Sequence, residues 1–364
     1  MKKIILLCAV LLVVFLPVYV YGEEYEDDIV ILTYDEALAL AVESLPAIWD
    51  LEAHIEELEE TRDDLRDDLR RISWAGGDAV AAMRREMTEL DRLIASANME
   101  IETLVLRTEL SLRTQLISII NNAMDIEAAK GSMDLSRENL RHIELRLRFG
   151  MASANDLRLA NARITQEYMS LDILLAAQAS IREDLNYFLD LPPYQYVIIE
   201  FERYLPEMPE NLSPLITQAV SQAPTSRRMQ FDVLRARESL ALHRERCTYR
   251  GRRRNVCDTC DTLIDRYDRA VIDRNIEIRR METALRAAYN RLEQLQTQEA
   301  AAILALEQGQ DALEIIKTNL DLGRATQFDV DSAIVARHVM EQAIERILYQ
   351  QWVLVLSLAN PELL

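Results

Sequence analysis

Apolar residues recur at helical spacing along most of the chain. From Leu51 to Ile72 they are three, four or seven residues apart, which places them on one stripe of a helix between charged flanks. The stretch WAGGD at 74–78 breaks this pattern, which then resumes and continues to about residue 148. A helix of roughly 70 residues would be about 105 Å long. Such a length is typical of a coiled coil or a helical tube.

Helix start and stop signals divide the first half further. Thr33, with Glu36 three residues later, predicts a capping box and a short helix that reaches Pro46. Gly150 predicts a left-handed end to the long helix, and Ser153 predicts the cap of a helix that follows to about residue 189. The next segment, 191–212, is rich in proline and contains one plausible strand, YQYVIIEF.

The second half repeats this order. PLITQAVSQAP at 214–224 matches ALALAVESLP at 37–46, and the turn LRFGMASANDLRLA at 147–160 returns as LDLGRATQFDVDSA at 320–333. We expect a first helical repeat over residues 23–190, a linker over 191–212 and a second repeat over 213–364. The predicted fold is all-α, with long antiparallel coiled-coil helices, a tandem duplicated hairpin unit and little or no β-structure.

The composition of the chain argues against several classes of function. A formal charge of −20 argues against nucleic-acid binding, which needs a basic surface. Residues 1–22 carry two lysines followed by an apolar run, which predicts a secretory signal peptide; an uncleaved N-terminal anchor is the alternative. The four histidines are scattered, and no nucleophile triad or phosphate-binding glycine loop occurs. We therefore expect an exported protein that is not an enzyme and uses no cofactor.

Two motifs resemble a known family. L-T-x-x-E-A-L-x-L-A-x-x-x-x-P at 32–46 resembles the N-terminal signature of the TolC family of outer-membrane efflux proteins. G-x-x-[ST]-x-x-D-[VL]-x-x-A resembles that family's turn between paired long helices, and it occurs at 150–160 and again at 323–333. FLDLPP at 188–193 is similar to the family's end of repeat one. The resemblance covers essentially all of the chain after residue 22.

The resemblance implies a homotrimer whose helices form a hollow tube from a periplasmic entrance to the outer membrane. It implies passive transport in efflux or type I secretion, with a periplasmic adaptor and an inner-membrane pump as partners. Localisation would be the periplasm or the cell outer membrane, with membrane association through a partner. The alternative is a periplasmic coiled-coil scaffold or adaptor, derived from the same family, that forms no pore.

The resemblance also places the two glycine turns at the periplasmic tip, where the tube narrows and a partner docks. An aspartate at the position of Asp329 belongs to the family's constriction, whereas a second family aspartate is Ser332 here. The acidic residues of the turns have two interpretations, as helix caps or as carboxylate rings that favour cations. The expected tip and gate residues are Gly150, Asp156, Gly323, Arg324, Asp329 and Asp331.

The sequence departs from the family between half-helix and long helix. Family members carry two strands there in each repeat, which close an outer-membrane barrel. Residues 72–79 leave room only for a tight turn, and 242–263 are arginine-rich without apolar alternation. We therefore expect a TolC-type helical tube that lacks these strands.

Three cysteines follow the signal segment. In an exported protein a disulfide is the default, and Cys247 with Cys257 would close the loop between two antiparallel helices. Pairing of Cys247 with Cys260 is a second possibility. A zinc site of His243, Cys247, Cys257 and Cys260 is a further one, because two ligands would lie on one helix face and two in a C-x-x-C turn.

Overall fold

The computed structural model describes residues 29–72, 77–202, 212–249 and 258–364. The first half contains β1 (Ile29–Thr33), α1 (Tyr34–Glu43), α2 (Pro46–Ile72), α3 (Gly77–Arg148) and α4 (Ala154–Phe188). The second half contains β2 (Tyr196–Glu200), α5 (Leu212–Gln222), α6 (Pro224–Tyr249), α7 (Asp258–Asp321), α8 (Gln327–Ala359) and a short 3₁₀ helix (Pro361–Leu363). One strand followed by four helices therefore occurs twice in the described ranges. The predicted helical fold class is confirmed, while the predicted signal peptide lies outside the described residues.

Local sequence explains where the shorter helices begin. The Thr33 hydroxyl accepts a hydrogen bond from the Glu36 amide at 3.3 Å, and the Glu36 carboxylate accepts one from the Thr33 amide at 2.8 Å. This is the expected capping box, and it satisfies two amides that the first turn of α1 leaves unpaired. Pro46 and Pro224 each begin the next helix, a position where proline loses no hydrogen bond.

The two long helices contact different partners along their length. α3 has 72 residues and α7 has 64, so they are about 108 and 96 Å long at 1.5 Å per residue. Near its start, α3 packs Leu90 and Ile94 against Leu58 of α2. Farther along, Ile126 and Met133 pack against Leu171 of α4. A single helix thus forms part of two separate apolar cores.

The lateral order of the helices follows from their contacts. In the half of the molecule that carries the glycine turns, α3 packs on α4, α7 packs on α8, and α3 also packs on α8. The order there is α4, α3, α8, α7, with α4 and α7 at the outer edges. In the other half, α2 packs on α3, α6 packs on α7, and α3 meets α6. The two repeats therefore join along α3, which touches α8 and α6 in turn.

A two-stranded parallel sheet joins the start of one repeat to the start of the other. β1 pairs with β2 in a register that sets Ile29 opposite Tyr196 and Thr33 opposite Glu200. The inward residues of both strands pack on a core that spans α1, α3, α4 and α8. Its buried members are Ala37, Ala41, Leu112, Leu116, Leu185, Leu189 and Trp352.

None of the helices in the described ranges has a stretch that is both long enough and apolar enough to cross a membrane.

Candidate functional site

The first glycine turn ends α3 through a specific backbone geometry. Gly150 has a φ of +71°, in the left-handed region that side chains with a Cβ disfavour. Its amide donates to the Leu147 carbonyl at 3.0 Å, and the Met151 amide donates to the Arg146 carbonyl at 2.7 Å. These two bonds form a Schellman motif, which satisfies carbonyls that the end of a helix leaves unpaired. The left-handed helix end expected from the sequence is confirmed.

The second glycine turn has the same geometry. Gly323 has a φ of +67°, its amide donates to the Leu320 carbonyl at 2.9 Å, and the Arg324 amide donates to the Asn319 carbonyl at 2.7 Å. A Cβ added at either turn glycine would meet no atom within 4 Å. Glycine is therefore required at both turns by the backbone angle and not by lack of space.

Asp156 and Asp329 cap the helices that follow the turns. The Asp156 carboxylate accepts hydrogen bonds from the Ser153 amide at 2.8 Å and its hydroxyl at 2.9 Å. Asp329 accepts the same pair from Thr326, at 2.8 and 2.7 Å. The backbone hydrogen bond, with the hydroxyl bond second, lowers the pKa of each carboxyl. Both carboxylates are thus exposed, held in one orientation and ionised at neutral pH.

Asp331 and Arg324 are the other two charged residues expected at the tip. The Gln327 side-chain amide donates to Asp331 at 2.8 Å, so this carboxylate is held within α8. The Arg324 side chain is exposed, and no other charged side chain in the described ranges lies within ion-pair distance of it. The structure therefore leaves Arg324 available to a group outside this chain.

The two hairpin tips lie side by side at one end of the molecule. His142 of α3 contacts Phe328 of α8 edge to face, with ring centroids 6.2 Å apart. Phe328 is the second residue of α8, whereas α3 continues for six residues after His142 to Arg148. Six helical residues span about 9 Å. The end of α3 therefore lies roughly that distance beyond the start of α8.

Polar side chains join the two hairpins farther from the tip. Glu127 of α3 pairs with the His338 Nε2 atom at 3.1 Å and accepts a hydrogen bond from Gln342 at 3.3 Å. Asp125 pairs with Arg346. His338, Gln342 and Arg346 recur every four residues on one face of α8, a periodicity that is visible in the sequence. The scattered histidines of the sequence gave no indication of this cluster.

The other half of the molecule joins the repeats in the same way. Arg92 of α3 pairs with Glu238 of α6 at 2.7 Å, and Glu102 pairs with Arg227 at 2.6 Å. Arg92 is 16% exposed and the other three side chains are 42–55% exposed, and pairs with such exposed partners contribute little individually. The repeats meet through polar contacts in these regions, whereas α3 and α4 of the first hairpin are packed on each other by an apolar cluster.

A fixed polar junction connects the sheet region to α8. The Arg113 guanidinium lies 4.5 Å from the Trp352 ring centroid and donates to the Trp352 carbonyl at 3.0 Å and to Glu109 at 2.6 Å. The Tyr34 hydroxyl accepts from Arg113 at 3.2 Å. Burial is the main cause that raises the pKa of Tyr34 to about 12. Sequence analysis missed this junction because its members are far apart in the chain.

Large apolar side chains remain exposed on the two edge helices. Ile173 of α4 is 69% exposed and Ile315 of α7 is 62% exposed. Neither belongs to a surface that this chain buries by itself. The large aliphatic residues exposed on these helices are Leu159, Met169, Ile173 and Leu175 on α4 and Ile272, Ile276, Ile303, Leu304 and Ile315 on α7.

The cysteine predictions fall largely outside the described residues, which do not include Cys257 or the side chain of Cys247. Cys260 is buried. Among the side chains that are described, no group of three His, Cys, Asp or Glu residues is placed to hold a metal ion. The disulfide and the zinc site both stay predictions.

Known proteins resemble this chain in structure. Comparison of the sequence with known protein families found no match, and comparison with curated proteins found none either. A membrane protein from Pseudomonas aeruginosa superposes with a TM-score of 0.65 at 11% identity, covering 90% of this chain and 93% of the other. CusC superposes with a TM-score of 0.66 at 12% identity, covering 94% of each chain.

The Campylobacter jejuni CmeC outer membrane channel superposes with a TM-score of 0.62 at 10% identity, covering 89% of this chain and 84% of the other. Coverages of about 90% mean that the likeness extends over most of both repeats. At such low identity the likeness concerns the fold, and the resemblance noted in the sequence motifs agrees with it. The chain therefore has the fold of the TolC-like outer-membrane channels.

Proposed function

We propose that this chain is one subunit of a homotrimeric conduit in the cell envelope, serving efflux or type I secretion. Transport through it is passive, and a periplasmic adaptor and an inner-membrane pump supply the energy and select the substrate. The observation that carries this proposal is the pair of unlike apolar edges, on α4 and α7, in a chain with a TolC-like fold. Three is the number of subunits that the family resemblance implies.

The edges support a closed ring because they differ from each other. If the apolar surface of α4 packed on the same surface of a second subunit, the apolar surface of α7 would stay exposed on both subunits. Both surfaces are covered only if α4 of one subunit packs on α7 of the next. An interface between two unlike surfaces is heterologous, and such interfaces close into a ring when the rotation between subunits permits. Each subunit then contributes α4, α3, α8 and α7 to the wall of a tube.

The ring can be tested by blocking one edge at a time. Ile173→Glu blocks the α4 edge and Ile315→Glu blocks the α7 edge, and each variant alone should be monomeric by native mass spectrometry. A mixture of the two should form a 1:1 dimer and nothing larger, because only one intact pair of edges remains. Tyr194→Glu, at a loop residue that is 88% exposed, is the control and should assemble like the wild type. Assembly of both blocked variants into the wild-type oligomer would contradict the ring.

At the tip, three copies of Asp156, Asp329 and Asp331 would form carboxylate rings at the entrance. Because hydrogen bonds hold each carboxylate in place, the rings of Asp329 and Asp331 would favour cations over anions at neutral pH. We further propose that Arg324 pairs with a carboxylate of a neighbouring hairpin and holds the entrance closed. Arg324→Glu should then raise single-channel conductance, whereas Arg324→Lys should leave it nearly unchanged. Equal conductance of the wild type and Arg324→Glu would exclude this role.

A further inference from the structure

The two hairpin tips carry opposite charge. Residues 141–163, which surround the first turn, contain five arginines and two acidic residues, a net charge of +3. Residues 314–336, the matching stretch of the second turn, contain four acidic residues and two basic ones, a net charge of −2. The whole chain has a charge of −20. The first tip is therefore a basic region on an otherwise strongly acidic molecule.

The arginines of the first tip remain available to a ligand. Arg141 and Arg148 are exposed, and in the described part of the chain neither forms an ion pair. Arg146 is also exposed; it donates to the Met151 carbonyl at 3.3 Å, and its charge helps to lower the pKa of Asp156. The positive charge of Arg141 and Arg148 is thus directed to the surroundings.

Apolar side chains lie between these arginines. Leu145 is 44% exposed and shares a helix face with Arg141 and Arg148, four residues after one and three before the other. Phe149 is 75% exposed and Met151 is 62% exposed at the very end of the hairpin. At the second tip the residue that corresponds to Met151 is Arg324. Only the first tip combines a basic face with an apolar end.

The projection of the first tip separates it from the acidic second tip. The end of α3 lies roughly 9 Å beyond the start of α8, and charges in physiological salt are screened over about 8 Å. A partner that meets the first tip therefore encounters positive charge before it encounters the negative charge of the rest of the chain.

We propose that the first tip, Arg141–Met151, docks on an acidic protein surface that contains an apolar pocket. The pocket takes Phe149 and Met151, while carboxylates around it pair with Arg141 and Arg148. This inference rests on the proposed function, because it assigns the chemistry of the partner that meets the periplasmic tip. Charge complementarity also sets the orientation, since the remainder of the chain repels an acidic partner.

A protein partner fits these observations better than a lipid surface. The apolar end of the tip consists of Phe149 and Met151, whereas even a single acyl chain gives only marginal membrane binding. A protein surface can also provide a pocket that encloses these two side chains, which a flat membrane surface does not. An anionic vesicle is therefore the negative probe.

The test uses the purified assembled chain and an immobilised synthetic helical peptide with glutamates on one face and leucines on the other. A peptide with lysines in place of the glutamates, and vesicles containing anionic lipid, serve as the comparison probes. Arg141→Glu with Arg148→Glu removes two positive charges from the first tip and adds two negative ones. Arg84→Glu with Arg85→Glu makes the same charge change at two exposed residues near the start of α3, far from both tips, and is the matched control.

We expect the wild type to bind the acidic peptide more tightly than the basic one, with an affinity that falls as salt rises. The first-tip variant should lose at least about tenfold in affinity, while the control at Arg84 and Arg85 should change by less than about threefold. Phe149→Ser should weaken binding without changing its salt dependence. Circular dichroism and native mass establish that each variant folds and assembles.

Three results would overturn the proposal. Equal binding by the two charge variants would show that the first tip is not the docking surface. Binding to anionic vesicles but not to the acidic peptide would show that the tip meets lipid. Dissociation of the oligomer by Arg141→Glu with Arg148→Glu would show that these arginines close the ring. The edge-blocking experiment is independent of all three and tests the conduit separately.

Discussion

Trp352 should be among the most costly side chains of this protein to remove. It is 4% exposed and lies in the core that joins the sheet, α1, α3 and α4 to α8. Its ring stacks on Phe201 with centroids 5.0 Å apart and meets the Tyr34 ring edge to face at 6.0 Å. The Arg113 guanidinium lies over the same ring at 4.5 Å. Trp352→Ala therefore removes a large buried ring and three specific contacts.

The expected cost can be estimated from these contacts. Replacing a buried tryptophan by alanine costs about 3–5 kcal/mol, and the stacking and cation–π contacts place this site in the upper half of that range. We expect the free energy of unfolding to fall by about 4 kcal/mol. Because native proteins are stable by only about 5–15 kcal/mol, the urea midpoint should shift by a large fraction of its value.

The assay is urea unfolding followed by circular dichroism at fixed protein concentration. Trp49→Ala is the control, because Trp49 is 57% exposed on α2 and its loss should cost no more than about 0.5 kcal/mol. Hydrogen exchange provides a local measure, because Phe201, which stacks on Trp352, follows β2 directly in the chain. Amides at 29–33 and 196–200 should exchange faster in Trp352→Ala than in the control. A cost below about 1 kcal/mol, with unchanged strand protection, would refute the reasoning.

Four further predictions follow from the turns and the buried tyrosine. Gly150→Ala should lower the free energy of unfolding by about 1–2 kcal/mol, because φ at this residue is +71°. Gly131→Ala should raise it by about 0.5–1 kcal/mol, because the added methyl group meets Val335 at an ordinary contact distance of 3.5 Å. Thr326→Ala should cost about 1 kcal/mol through loss of the α8 cap. The hydrogen bonds from Thr326 lower the pKa of Asp329. The ionised Asp329 carboxylate therefore stabilises the folded chain above about pH 4, and this stabilisation is lost as pH falls through the lowered pKa. Burial raises the pKa of Tyr34 to about 12, so stability should fall as pH rises from about 10 towards 12, and Tyr34→Phe should remove that fall.

Thermal unfolding and hydrogen exchange measure the first two of these predictions, and acid and alkaline titrations of stability measure the others. Gly131→Ala is the control for Gly150→Ala, because both add one methyl group to α3 or its end. Equal effects of the two would mean that φ at residue 150 does not matter. An acid profile unchanged by Asp329→Asn, or an alkaline profile unchanged by Tyr34→Phe, would contradict the assigned hydrogen bonds or burial.

Local signals in the sequence predicted the helices and their ends. The capping residues Thr33, Ser153 and Thr326 lie where their hydroxyls satisfy the first amides of a helix, and each signal involves only neighbours in the chain. Gly150 and Gly323 were identifiable for the same reason. Hydrophobic periodicity likewise gives the buried face of a helix from its own residues.

Contacts between distant segments were not predictable in this way. The parallel pairing of β1 with β2, and the cation–π contact of Arg113 with Trp352, depend on the lateral order of long helices. Periodicity gives the buried face of a helix but not which of several similar helices covers it. Glu127 and His338 look like ordinary surface residues in isolation, and their pairing follows only once α3 lies beside α8.

The charge difference between the tips was readable from the sequence, but its meaning required the structure. Counting charges around Gly150 and Gly323 distinguishes a basic turn from an acidic one. The contact between His142 and Phe328 then shows that these turns are neighbours and that the basic one projects farther. The exposed Phe149 adds an apolar contact to the proposed docking surface.

The oligomeric mass of the purified chain, measured by native mass spectrometry, tests the central claim most directly. The unlike apolar edges of α4 and α7, together with the TolC-like fold, predict a closed ring with three times the mass of one chain. A chain that stays monomeric, or that forms only a dimer, would contradict the conduit and favour the periplasmic scaffold.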